Sequence, residues 1–517
     1  MKLEGISITR RIATGTLWNL IATLTNLIWA LLTTPIFYSH LGETTYGILL
    51  LIGVVLLYAE ILDLGISSTC IRHASAALRA GKIEDVYAFV GTAWLLYVLT
   101  GILGATSIFL LAPTLAKHTF NIPFSHQIEA ILAMRVSAFS FLFNFIGSIP
   151  LSTTIIVGRL GVYGKIFSLS VLLKSSWGAI AAVWTKDLIY IVGGNAFIDA
   201  SLCLLSLYLA SLFMAGFPKK LQWSSKALRE IFQYSRIITF IGLIQKGVGQ
   251  WEKALLGRFI GASAMPYYSI PHSLISRLSM ISGALAGSLL PELSGMHACG
   301  KEDKGQALIL RVIGYLWLLL FPLILFLGLI AYDLFSIWIG SEFAEKGSWI
   351  ARILLLGGAI YPLGHLLSVV PQAWGKPHLL SRVYLISAIF YLPLAPWIVA
   401  KWGIEGAGWA WTLRSGLEGL LLLWTAKKVL STPWKELLSA FMRRGSPGIL
   451  LWSITCGVLD YILPRSLDIL IRVILTTCIY WAGVGWIVYK QGIDESEKTA
   501  IKTFIGRYIA PVKNIWR

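Results

Sequence analysis

The chain's apolar residues recur in runs of about 20, and that spacing constrains the fold more than any motif does. A run of that length, wound as a helix, crosses the roughly 30 Å hydrocarbon core of a bilayer. Fourteen such runs can be drawn: 15–39, 46–70, 87–112, 128–156, 166–185, 188–214, 237–259, 266–295, 307–332, 349–373, 382–400, 405–426, 448–463 and 468–489. The seventh is broken by charges and the thirteenth is short. Of the 517 residues, 56% are hydrophobic and 13% charged, about half the charged share of an ordinary soluble domain. The sequence therefore reads as an all-α polytopic membrane protein with about fourteen transmembrane helices. Residues 1–11 are polar, and the run after them outlasts a signal-peptide core, so the first span is expected to stay in place.

The connecting loops are asymmetric in charge. One side carries Lys2, Arg10 and Arg11, then Arg72, Arg79 and Lys82, then Arg159 and Lys165. It continues with Lys219, Lys220, Lys226, Arg229 and Arg236, Lys301 and Lys304, Lys376 and Arg382, the stretch from Lys427 to Arg444, and the tail 490–517. The other side shows mostly single basic residues: Lys117, Lys186, Lys346, Lys401 and Arg465. Excess Lys and Arg marks cytoplasmic loops, so the first set and both termini are expected inside. This asymmetry explains most of the net charge of +18. Orientation against anionic headgroups, not nucleic-acid binding, is its source. The outer loops, the longest about 113–127 and 333–348, leave no room for an extramembrane domain.

Three loop motifs recur in order. Leu41-Gly42-Glu43-Thr44-Thr45-Tyr46-Gly47 is matched by Ile260-Gly261-Ala262-Ser263-Ala264-Met265-Pro266-Tyr267, with the first glycines 219 positions apart. Gly81-Lys82 and Gly300-Lys301 keep the same interval of 219, and Gly158-Arg159 and Gly375-Lys376 are 217 apart. A duplicated six-helix unit follows. Six is even, so both copies cross the membrane in the same sense, as a parallel repeat. The expected organisation is a six-helix bundle over 1–215, its repeat over 216–430, and two extra helices with a cytoplasmic tail over 431–517. Substrate sites of such transporters lie between the halves.

A charge at the bilayer centre costs about 2.5–3.5 kcal/mol on insertion scales, so each embedded one needs a reason. Span seven places Lys246, Gln250 and Lys253 at helical spacing, with Glu252 beside them. Span one carries Asn19, Thr23, Asn26 and Thr33; span two Glu60, Asp63 and Ser67; span eight Ser269, Ser273, Ser276 and Arg277. These are the first two spans of each repeat and the natural lining of a water-accessible cavity. Arg135, Lys174, Arg311, Arg352, Arg414 and Arg472 tip the embedded balance towards positive. Such a cavity selects an anion, because guanidinium and ammonium groups match phosphate oxygens. The candidate substrate-binding groups are Lys246, Gln250, Lys253, Arg277, Asn19 and Asn26, and the candidate ion-coupling groups are Glu60 and Asp63. Each has a plainer alternative. The lysines can sit in interhelix salt bridges, for example with Glu60. Glu60 and Asp63 can cap or pack, the arginines can snorkel, and the small polar groups can bind helices together. His272 and His365 read as packing residues, and the many tryptophans as interface anchors.

Cys70, Cys203, Cys299, Cys456 and Cys478 lack paired-ligand spacing and read mostly as buried thiols, so neither disulfide, metal nor cofactor is expected. The short outer loops carry no paired carboxylates and the cytoplasmic loops no glycine-rich phosphate motif. Both features argue against a membrane glycosyltransferase or polysaccharide polymerase.

The stretch Pro35…Leu41-Gly42…Tyr46-Gly47, Asp63-Leu64-Gly65, Arg72 and Gly81-Lys82 resembles the N-terminal signature of the polysaccharide-transporter family. That family belongs to the multidrug, oligosaccharidyl-lipid and polysaccharide exporter superfamily. Gly375-Lys376 and Gly403-Ile404-Glu405-Gly406-Ala407-Gly408 fit the same pattern, and the resemblance covers roughly residues 10–430. It implies two six-helix bundles around an alternating cavity in a bacterial inner membrane. It also implies an undecaprenyl-diphosphate-linked oligosaccharide as substrate, and membrane lipids and the polysaccharide polymerase or chain-length machinery as partners. Fourteen helices is similar to the lipid II flippases, but the arginine set expected of them on the first two spans is missing here. A multidrug or cation antiporter of the same superfamily is the alternative. It calls for an acidic cavity and twelve helices, and Glu60 and Asp63 keep it open.

Overall fold

The computed structural model describes residues 8–214, 216–442, 446–462 and 468–492, and among them there is helix and no strand. Eighteen α-helices follow in chain order: α1 Ile8–Ala59, α2 Ile66–Arg79, α3 Ile83–Thr114, α4 Phe124–Ile156, α5 Leu160–Trp184, α6 Leu188–Phe213, α7 Ser225–Gly249, α8 Trp251–Phe259, α9 Met265–Ser276, α10 Ser279–Ala298, α11 Glu302–Leu329, α12 Ala331–Trp338, α13 Ser341–Leu367, α14 Val369–Ala373, α15 His378–Leu430, α16 Trp434–Met442, α17 Ser446–Ile462 and α18 Ile469–Ile487. Ten helical stretches among the described residues are long and apolar enough to cross a membrane. The charged stretch α7–α8 and the 17-residue α17 are not among the ten. The protein is an all-α, multi-pass membrane protein.

Two of the helices, α1 and α15, run through a glycine with non-helical backbone angles. Within α1, Gly42 adopts φ 74°, ψ 173°, a region open essentially to glycine. Gly261 does the same at φ 106°, ψ 177°. Within α15, Gly403 turns the chain at φ 59°, ψ −131°. Left-handed residues recur at the same intervals elsewhere: Gly81 with Gly300, Asn121 with Gly340, Gly158 with Gly375, and Lys186 with Gly403.

The chain divides into two units, one of Met1–Ser269 with Leu392–Ala407, the other of Ile270–Tyr391 with Gly408–Arg517. In the first, α4 packs against α1, α2, α3, α5 and α6. Lipid is as apolar as leucine, so close approach of small residues replaces the hydrophobic drive as the source of helix association. A Cβ on Gly147 of α4 would lie 3.1 Å from Cys203 Cα of α6. Phe141 and Phe145 pack with Tyr97 and Val90 in the buried core. Leu110, Phe197 and Leu204 stay largely exposed, as lipid-facing side chains should.

In the second unit α13 packs on α10, α11 and α12, and α11 on α16 and α17. Tyr480 of α18 ties the terminal helices to α11. Its Oη donates to Pro322 O at 2.8 Å, and its carbonyl accepts from Trp452 Nε1 at 3.1 Å. Cys70, Cys203 and Cys456 are buried, Cys299 and Cys478 exposed, and all five are free thiols.

Candidate functional site

The polar groups of the first unit gather where helices break. After Ala59 the chain forms a 3-10 turn, Glu60–Asp63, and then two left-handed residues, Leu64 (φ 48°, ψ 23°) and Gly65 (φ 67°, ψ 14°), before α2 begins. A branched side chain in that region costs about 1–2 kcal/mol, so the break is held by its surroundings. Lys246 Nζ, from α7, donates to Glu60 O at 3.0 Å and lies 3.9 Å from Glu60 Oε2. The interhelix bridge between Lys246 and Glu60 is present. Asp63 instead accepts from Tyr97 Oη, and Tyr97 stacks on Phe145 at 5.2 Å. Asp63 is thereby fixed, whereas Glu60 remains half exposed.

The helix carrying Lys246 ends at Gly249, Gln250 turns at φ −116°, ψ 4°, and α8 starts at Trp251. Lys246, Gln250 and Lys253 therefore do not run along one unbroken face, as their spacing implied. Tyr58 Oη donates to Gly247 O at 3.1 Å, next to the joint. Gln250 Oε1 is buried and has no hydrogen-bond partner among the described residues. Lys253 stands in the first turn of α8 beside the buried Glu252. No carboxylate lies within ion-pair distance of its ammonium among the described residues. The side chains of Asn19 and Asn26 lie outside the described residues, although their backbone is helical.

Arg277 belongs to the second unit. It occupies the two-residue gap between α9 and α10, where its N–H bonds Leu274 O at 3.3 Å. Its part-buried guanidinium has no ion-pair partner among the described residues. Ser273 and Ser276 turn back onto their own helix, donating to Ile270 O and Ser273 O. They add nothing to a polar stripe.

Most of the other embedded cations have partners. Lys174 of α5 pairs with Asp199 of α6, which is 3% exposed and also accepts from Ser140 of α4. Arg472 of α18 pairs with Asp333 of α12. Arg135 lies over the Phe109 ring at 4.9 Å, Arg414 over Tyr391 at 5.3 Å, and Arg352 donates from Nε to Gly328 O. Arg311 is exposed. His272 packs edge-on to Trp411, and His365 lies 3.4 Å from Ser282 Oγ.

A seam joins the two repeated turns. Tyr267 Oη bonds Glu43 Oε1, and Tyr38 Oη reaches Glu43 Oε1 at 3.2 Å and Tyr267 Oη at 3.1 Å. Gly47 lets the backbones meet, since a Cβ there would stand 1.7 Å from Ala262 O.

The family model for "Polysaccharide biosynthesis protein" matches residues 40–347, more than half of the chain. The chain belongs to that family. A putative O-antigen transporter of Shigella flexneri is 22% identical over 425 residues, covering 81% of this chain and 98% of that protein. A probable low-salt glycan biosynthesis flippase of Haloferax volcanii is 24% identical over 201 residues, 38% of this chain and 42% of that protein. Among solved structures, the lipid II flippase MurJ in an inward closed conformation has a TM-score of 0.66 at 13% identity, covering 91% of this chain and 98% of that one. An inward-facing multidrug resistance MATE family transporter has a TM-score of 0.61 at 15% identity, covering 79% and 98%. The fold is thus that of the multidrug, oligosaccharidyl-lipid and polysaccharide exporter superfamily.

Within this family member, reading the sequence missed the acidic partners. Asp199 is the lone carboxylate inside Leu188–Phe213, and that isolation was the available signal. Asp333 falls just beyond the span 307–332 and Asp460 near the end of the span 448–463, and nothing in the sequence joins either to Arg472. Glu43 and Tyr267 were both visible in the repeated turns, but nothing in the sequence joins them.

Proposed function

We propose that this membrane protein is a flippase. It carries an undecaprenyl-diphosphate-linked oligosaccharide from the cytoplasmic to the outer leaflet of the bacterial inner membrane, for O-antigen, capsule or exopolysaccharide synthesis. Membership of a polysaccharide biosynthesis family and the match to nearly the whole of a putative O-antigen transporter support the class. The observation that carries the substrate's charge is the pair of cations at helix breaks with no ion-pair partner among the described residues. Lys253 opens α8 and Arg277 precedes α10. Half-helix N-termini favour anions, and broken helices in transporters aim them at anionic substrate groups. Each of these cations meets the diphosphate at a stage of its passage, while the glycan stays in water and the prenyl tail in lipid. Lys246 is shared with Glu60, so Glu60 is the coupling group and Lys246 its gate.

The matched left-handed residues support a parallel duplication over 1–215 and 216–430 with 431–517 appended, and the charge asymmetry of the loops supports cytoplasmic termini. Potential helps the load outward. Each negative charge moved out gains about 2.3 kcal/mol per 100 mV, inside negative.

The test is complementation of a strain lacking the gene. Lys253→Ala with Arg277→Ala should abolish surface glycan while the protein persists on immunoblots. Normal surface glycan would remove both residues from the mechanism. The buried Asp199, with Glu60 and Asp63, favours a second reading, a cation antiporter. That reading predicts drug hypersensitivity and intact surface glycan in the deletion strain.

A further inference from the structure

A polar cavity of about 570 Å³ lies in the second unit, where α11, α12 and α13 meet α17 and α18. It is remote in sequence from the helix breaks and plays no part in the proposed passage. Its charged lining consists of two arginines, Arg352 and Arg472, and two aspartates, Asp333 and Asp460. The charges balance, but they are not equally committed. Arg472 and Asp333 are spent on each other, and Arg472 Nε lies 4.0 Å from Asp460 Oδ1, which also accepts from Thr476 Oγ1 at 3.2 Å. That leaves Asp460 Oδ2 without a partner among the described residues. Arg352 uses Nε on Gly328 O at 3.0 Å, so both of its terminal nitrogens remain uncommitted. One cavity therefore offers one carboxylate oxygen and one guanidinium edge.

The mouth is built for an interface. Tyr461 is 82% exposed and Tyr332 more than a third exposed, and aromatic residues with one wet end favour the headgroup level of a bilayer. The flanking faces of α17 and α18 are apolar and exposed at Val458, Ile471 and Ile474, as acyl chains require. Asp333 and Asp460 stand at the ends of the spans whose loops carry few basic residues, the side expected to face outward.

We propose that this cavity binds the headgroup of a zwitterionic phospholipid bearing a primary ammonium, such as phosphatidylethanolamine. The phosphate meets the terminal nitrogens of Arg352, and the ammonium donates to Asp460 Oδ2. Guanidinium–phosphate and ammonium–carboxylate pairs are charge-assisted hydrogen bonds, and a neutral lining disfavours a lipid with net charge.

The test is native mass spectrometry of the purified full chain. It is taken from detergent with equimolar phosphatidylethanolamine, phosphatidylcholine and phosphatidylglycerol. Phosphatidylethanolamine should be retained in preference to both others. Arg352→Ala and Asp460→Asn should each weaken that retention about tenfold, equivalent to about 1.4 kcal/mol. Both variants leave the Arg472–Asp333 hydrogen bond in place, Asp460→Asn keeps an amide of the same shape beside Arg472 Nε, and size-exclusion profiles verify that both fold. Equal retention of phosphatidylcholine would overturn the ammonium contact, and equal retention of phosphatidylglycerol would overturn the zwitterion. Undiminished binding by both variants, or no retained lipid at all, would overturn the site.

Discussion

Lys174→Met should be among the most damaging single changes in the first unit, for a reason that can be worked from the structure. Asp199 is 3% exposed and has two partners, Lys174 and Ser140. Without the lysine, a buried carboxylate keeps a single hydroxyl donor. Removing one member of a buried pair costs about 3–5 kcal/mol, because the other charge is left uncompensated. At about 1.4 kcal/mol per tenfold, the folded-to-unfolded ratio falls at least about a hundredfold. Lys174→Met combined with Asp199→Asn removes both charges and leaves an amide that Ser140 can still bond. The double variant should recover most of the loss. Stability is read by thermal unfolding in detergent, followed by size exclusion, with transport measured in parallel. Rescue of both marks the pair as a structural staple. A stable but inactive double variant makes Asp199 an ion-coupling group. Lys174→Met as stable as the unsubstituted chain would refute the claim that Asp199 depends on this lysine.

Other outcomes follow from the seam and the charges. Tyr267→Phe keeps the edge-on packing against Tyr38, at 6.3 Å and 75°, but deletes the bond to Glu43, worth about 1.5–3 kcal/mol for a charged acceptor. A cysteine placed at Thr44 should then label faster with an impermeant maleimide, and unchanged labelling would remove the seam as a closure. Gly47→Ala drives a Cβ into the Ala262 backbone at 1.7 Å, so membrane abundance should collapse. Gly53→Ala on the same helix meets nothing within 4 Å and should be neutral or slightly stabilising. Collapsing the membrane potential with an ionophore should slow glycan export, since about 2.3 kcal/mol per charge per 100 mV is lost. Export indifferent to potential would rule out net outward movement of negative charge.

The class and much of the punctuation were legible in the sequence because hydrocarbon thickness sets run length and glycine marks its turns. Gly42 and Gly261, paired by spacing alone, share one backbone conformation. The interruption at Gln250 was missed. Its signal was Gly247 and Gly249, poor helix formers just before it, but helical spacing alone joined Lys246 to Lys253 across it. Glu60 was named as a partner for Lys246, and the structure pairs them. Asp199 was invisible as a partner for Lys174 because only the packing of α5 on α6 brings them together. The same holds for Arg472 with Asp333, 139 positions apart. An excess of embedded cations in the sequence thus overstated the unpaired positive charge. Lys174 and Arg472 are answered by carboxylates, Lys246 is shared, and Lys253 and Arg277 have no ion-pair partner among the described residues.

The decisive assay is translocation by the purified chain in proteoliposomes loaded with an undecaprenyl-diphosphate-linked oligosaccharide. Arrival of the sugar at the opposite leaflet is followed by a membrane-impermeant lectin. Lipid-linked glycan should cross far faster than in protein-free vesicles, and Lys253→Ala with Arg277→Ala should slow it at least about tenfold, the loss of one charge-assisted contact. Crossing no faster than in empty vesicles, or undiminished in the double variant, would contradict a flippase that grips its substrate by the diphosphate.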